Sequence, residues 1–184
     1  MQRLVLKDPP RYECLVEASK QFPDLDPSAS EAFIHLLRAG DEVWGAMNTH
    51  FASHNITQGR FLVMMLLMEK ADPACPRATT PAEIADLASV SRATVTGLLD
   101  TLERDGFVLR RPDPKDRRQM SVELTAKGQA FMHEFLPGHF RLIRGLMQNL
   151  SENERKTLVR LLYKIVDRAG VAPAGARCAV PASA

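Results

Sequence analysis

Ser91, Arg92, Ala93, Thr94, Thr96 and Gly97 lie within seven consecutive positions, and all but the arginine are small. Their hydroxyls can donate or accept, the guanidinium can form a forked pair, and the threonine methyls can meet a thymine methyl. On a helix, such a set can enter a groove about 12 Å wide and touch base edges. Twenty residues on, Lys115, Arg117 and Arg118 surround Asp116. These cations suit phosphates, or an A·T-rich minor groove whose narrowness deepens its negative potential. Between positions 104 and 118 stand six basic residues and three acidic ones, a local excess of three positive charges.

A second set suits a small organic acid. Trp44 offers a ring to stack on, and Arg60 a cation for a carboxylate, with His50 and His54 near them in sequence. The packing reading is favoured for Trp44, as core or subunit interface, since aromatic stripes on helices usually pack, and Arg60 also reads as a surface cation. His50 and His54 are four apart and could share a metal on a helix, but no cysteine or glutamate is placed to complete a site. No cofactor or metal is expected. Cys14, Cys75 and Cys178 lie far apart without a CxxC pair, against a disulfide framework and in keeping with a reducing cytosol. Cys14 has Tyr12 nearby, which leaves a redox-responsive role as an alternative beside the metal-responsive one. There is no GxSxG, phosphate-binding loop or dinucleotide fingerprint, so an enzyme is not expected.

The elements that must position these residues are mostly helical. Asp26-Pro27 starts a helix whose apolar residues, Phe33 to Phe51, recur every three or four positions. Ser28 with Glu31 offers an alternative start. Thr57 caps a helix over 58–70 whose centre is apolar all round, which predicts the most buried helix. Thr80-Pro81-Ala82-Glu83 stacks three start signals before a short helix over 81–88. After a tight turn at 88–91, Ser91 caps a helix over 92–105 with Val95, Leu98, Leu99 and Leu102 inward, stopped at Asp105-Gly106. Segments 107–111 and 120–124 form a hairpin with a charged, proline-bearing tip. A helical pattern from Thr125 to Leu150 should kink or break at Pro137. Ser151 with Glu154 caps the last helix, with Leu158, Leu161, Leu162, Ile165 and Val166 on its apolar face.

Two short helices, a tight turn and a hairpin follow the order of a winged helix-turn-helix. The residues also resemble the multiple-antibiotic-resistance regulator (MarR) family. The resemblance rests on Pro81-Ala-Glu-Ile-Ala, on the run from Ser91 to Val108, on Asp113-Pro-Lys-Asp-Arg-Arg, and on Val122-Glu-Leu-Thr-Ala-Lys-Gly. It covers residues 28–169 and implies an obligate homodimer with intertwined terminal helices on a pseudo-palindromic operator. It further implies that Arg118 enters the minor groove, that Asp116 braces the wing, and that a small aromatic or phenolic acid releases the DNA. The arm of 27 residues and the loop 71–79 are longer than the family pattern.

The expected fold is therefore mostly α, a winged helix-turn-helix with a small antiparallel β-hairpin wing between dimerisation helices. Its parts are an arm over 1–27 with one short helix, a dimerisation helix region over 28–56, and a DNA-binding lobe over 57–124. Dimerisation helices follow over 125–169, then a disordered tail over 170–184. The chain has 184 residues, 45% hydrophobic and 25% charged, ordinary for one globular domain with appendages. Its longest apolar run is eight residues, too short for a membrane span, and nothing marks its start for export. The net charge of +2 suggests no polyanionic partner until its distribution is read: the excess sits at the wing. The reading is a cytoplasmic homodimeric regulator on duplex DNA, with a winged-helix protein-interaction module as the other class. Paired arginines at the tip favour DNA, since a purely protein-binding wing does not need them.

Overall fold

The computed structural model describes residues 8–68, 80–112 and 120–168. They form two compact units that meet in sequence between Asn55 and Ile56. The first holds α1 (Tyr12–Ser19) and α2 (Pro27–Ser53). Leu15 is buried, and α1 packs on α2. Asp26 starts α2 as expected: its carboxylate accepts from the amides of Ser28 and Ala29 at 2.9 and 3.0 Å, and Pro27 takes the first helical position. At 27 residues α2 is about 40 Å long. Phe33, Leu37 and Trp44 share one exposed face of it.

The second unit holds α3 (Gln58–Leu67), α4 (Pro81–Ala88), α5 (Arg92–Arg104), β1 (Val108–Pro112), β2 (Met120–Leu124), α6 (Ala126–Leu146) and α7 (Glu152–Arg168). The two strands pair antiparallel from Val108↔Leu124 to Pro112↔Met120. Met64, Ile84, Val95, Leu99, Leu102, Val122 and Met132 build a core with less than 2% of each exposed. Thr57, Thr80, Ser91 and Thr125 cap α3 to α6 through their hydroxyls, and Thr80 with Glu83 closes a capping box. Ser151 with Glu154 does the same ahead of α7.

Three expectations are corrected and one is met. The helix from Thr57 ends at Leu67, because Met68 is extended. It has the largest buried share of the described helices, as its apolar centre predicts, with Val63, Met64 and Leu67 inside and Leu62 exposed. Leu98 of α5 is half-buried rather than core. Finally, α6 runs unbroken through Pro137 and stops at Leu146. Phe131, Phe135 and His139 lie four apart and stack in a ladder across the proline, with centroids 5.7 and 5.5 Å apart. Phe61 of α3 packs on Phe135 and His139, at 5.2 and 4.7 Å. This packing holds both sides of the helix and offsets the one amide bond that proline cannot donate.

Candidate nucleic-acid interface

The turn between α4 and α5 sets the site. It carries no glycine: Ser89 takes the left-handed conformation at φ 53°, and Val90 N–H closes back on Ala85 O at 3.1 Å. At the far end of α5 the left-handed residue is Gly106, at φ 76°. Helix α5 buries Val95, Leu99 and Leu102 and leaves its opposite face in solvent.

That outer face collects the proposed base-reading residues. Ser91, Arg92, Ala93, Thr94 and Thr96 are all exposed. Their hydroxyls are partly committed. Ser91 Oγ accepts from Thr94 N–H at 3.1 Å and pairs with Thr94 Oγ1 at 2.8 Å. Thr96 Oγ1 donates to Arg92 O at 3.0 Å, so it faces outward with lone pairs and a methyl. Arg92 projects from the first turn, where a helix N-terminus also favours anions.

The wing expectations divide. The hairpin is present, but Lys115, Asp116, Arg117 and Arg118 lie outside the described residues. Arg110 is one of the six basic residues between positions 104 and 118, yet its guanidinium turns inward. It donates to Asp100 Oδ1 at 2.6 Å and lies 3.6 Å from Glu103 Oε2. Periodicity could not find this link, because its partners are seven and ten residues away on another element.

The wing stem is braced at its other end. Thr125 Oγ1 donates to Gly106 O at 2.7 Å, and Lys127 Nζ to Asp105 O at 2.7 Å. Gly128 is pressed so close that a Cβ there would stand 2.2 Å from Phe107 O.

The effector candidates fall on both units. Trp44 is 46% exposed on α2. His50 and His54 meet edge to ring with centroids 4.8 Å apart, and His54 Nδ1 lies 2.9 Å from His50 O. Burial, then the charge of His54, pushes the His50 imidazole below its ordinary range. In the second unit, Arg60 donates to Asp105 Oδ2 at 2.5 Å and stands 5.7 Å from the Phe107 ring centre, so its charge is already answered. No group of three or more metal-ligating side chains comes together among the described residues. No helix among them is long and apolar enough to cross a membrane. Cys14 is exposed, while Cys75 and Cys178 lie outside the described residues.

Comparison with known proteins places this arrangement. The MarR family model matches residues 56–120. The chain is 36% identical over 166 residues to the HTH-type transcriptional repressor YetL of Bacillus subtilis (strain 168), covering 90% of this chain and 97% of that one. A cysteine-to-serine mutant of MarR from Escherichia coli, solved in complex with operator DNA, superposes with a TM-score of 0.60 at 29% identity. That match covers 74% of this chain and 92% of that one. BpsR of Bordetella bronchiseptica, solved in a study of the regulation of its DNA binding by 6-hydroxynicotinic acid, superposes with a TM-score of 0.60. Its identity is 26%, over 72% of this chain and 91% of that one. The chain belongs to the MarR family of winged helix-turn-helix transcriptional regulators.

Proposed function

We propose that this protein is a homodimeric, sequence-specific repressor that binds a pseudo-palindromic operator and lets go when a small aromatic or phenolic acid binds. One observation carries the reading: the exposed, small-residue face of α5 stands beside a hairpin wing, in a chain so similar to a repressor over nearly its whole length. Helix α5 lies in the major groove with Arg92, Ala93, Thr94 and Thr96 toward base edges and Ser91 holding the first turn. Lys115, Arg117 and Arg118 at the wing tip take phosphates and the minor groove, with Asp116 bracing them. Two-fold symmetry puts two such helices about one DNA turn, roughly 34 Å, apart. The exposed apolar faces of α2, the end of α6 and α7 supply the dimer contact. Trp44, His50 and His54 on the first unit and Arg60 on the second are the effector candidates, and Arg60 can meet an acid only by releasing Asp105. The protein acts by binding rather than by catalysis, in the cytoplasm.

The test is a gel shift with duplex from upstream of the protein's own gene against a shuffled duplex, over a salt series. The wild type should discriminate, and its affinity should fall steeply with salt as counterions are released. Arg118→Ala should weaken binding to both duplexes and lower the salt slope by about one. An unchanged affinity would remove the wing from the interface. Addition of a phenolic acid should release the upstream duplex and quench Trp44 fluorescence; silence across a broad panel would remove the effector.

A further inference from the structure

Val108 and Arg110 lie two apart on β1 and therefore share a face. Val108 is buried on that face, and Arg110 pairs in register with buried Val122. An apolar residue would suit position 110. An arginine stands there instead, its side chain only 22% exposed. Its guanidinium reaches three positions of α5. Nη2 donates to Asp100 Oδ1 at 2.6 Å and lies 3.4 Å from Thr96 O, while Nε lies 3.6 Å from Glu103 Oε2. Its own amide donates to Glu103 Oε1 at 3.2 Å. Positions 96, 100 and 103 follow i, i+4, i+7 and so form one stripe of the helix. One side chain of the wing stem thus grips α5 along two turns, from its last turn up to a residue of the outer, base-reading face.

We propose that Arg110 is a positioning residue for DNA recognition: it fixes the angle between the recognition helix and the wing so that both meet one duplex in register. This rests on the DNA-binding reading above. A planar, forked cation presents donors from three nitrogens in fixed directions, so it can hold acceptors spread along a helix, whereas a lysine is a point charge with its donors on one nitrogen. The carboxylate of Asp100 would by itself repel phosphates, so its presence beside a DNA-binding face calls for a reason. The clamp supplies one.

The same carboxylate separates positioning from simple charge. Asp100→Asn removes a negative charge at the DNA face, so charge alone would tighten binding to every duplex. A clamp predicts the opposite for sequence discrimination. The experiment measures fluorescence anisotropy of the full-length protein on the upstream duplex and the shuffled duplex. D100N and R110Q should each lower the ratio of the two affinities by about ten-fold, the value of one good base contact. R111Q, the exposed neighbour on the other face of β1, should weaken both duplexes alike and keep the ratio. Hydrogen exchange in the free protein should quicken at the amides of β1 and β2 in D100N and R110Q. If R110Q folds poorly, D100N carries the test, because Asp100 is 58% exposed. A ratio unchanged in D100N, or lowered equally in R111Q, overturns the proposal. A wild type that binds both duplexes alike overturns it together with the function it rests on.

Discussion

Helices α5 and α7 carry the same kind of apolar stripe and meet opposite fates. In α5, Val95, Leu99 and Leu102 are fully covered by their own chain. In α7 no residue is buried, and Leu158, Leu161, Ile165 and Val166 all face solvent, as do Phe140, Ile143 and Leu146 near the end of α6. Periodicity reports that a face is apolar; it does not report which chain covers it. An exposed stripe of this size on a monomer is a surface awaiting a partner, and two-fold symmetry makes a second copy the natural one. The helix-turn-helix lobe is thus complete within one chain, and the terminal helices are not.

The sharpest way to break that contrast is to charge the uncovered stripe. Replacing Leu161 and Ile165 together with glutamate should leave the lobe folded and convert a dimer to a monomer in sedimentation. Operator affinity should then fall on the order of a hundred-fold, since the second half-site is no longer tethered to the first. A double variant that stays dimeric would show that α7 is not the covered face.

The converse variant adds one methyl group to the finished side. Gly128→Ala would set a Cβ 2.2 Å from Phe107 O, 3.1 Å from Phe107 C and 3.2 Å from Leu124 Cδ2. The backbone there is held by Thr125 N–H on Phe107 O at 3.0 Å, so it has little room to yield. Chemical denaturation should show a loss of about 2–3 kcal/mol. A loss below about 0.5 kcal/mol, the range of an ordinary surface change, would mean that the wing stem slides freely on α6.

The contrast also explains what could be read from residues alone. Asp26, Thr57, Thr80, Ser91, Thr125 and Ser151 all mark helix starts correctly, because a cap is decided by a side chain and amides within three positions of it. The hairpin is legible from its alternating segments and proline-bearing tip, while its register comes from the structure. Three other features were not legible. Ser89 stops α4 without the glycine that usually announces a left-handed residue. Pro137 fails to break α6 because Phe61, more than seventy residues earlier, sits against the ring ladder beside it. Arg110 reads as one more cation of the basic edge until the fold brings Asp100 and Glu103 to it. Each depends on a neighbour that local sequence does not supply.

The smallest effect separates the two regions by acid. Helices α3, α5 and α6 begin on hydroxyls that do not titrate. At the starts of α2 and α7 a carboxylate takes part: Asp26 caps α2, and Glu154 completes the box that Ser151 opens. The amide of Ala29, then the hydroxyl of Ser28, holds Asp26 below its usual range, and Glu154 is lowered by the hydroxyl and then the amide of Ser151. Glu152 is lowered by Lys156, which pairs with it at 2.6 Å. A depressed folded-state value means that the stabilisation is fully present above the unfolded carboxylate range, about pH 4, and is lost as pH falls through the lowered values. Hydrogen exchange on going from pH 5 to pH 3 should therefore, after correction for the intrinsic rate, loosen the first turns of α2 and α7 before those of α3 and α5. Asp26→Asn keeps a capping oxygen while removing the titration. It should abolish the pH dependence at the start of α2 alone and leave that of α7 in place. If all helix starts loosen together, the outer helices are not held by their carboxylates, and the division between the regions lies only in what covers their apolar faces.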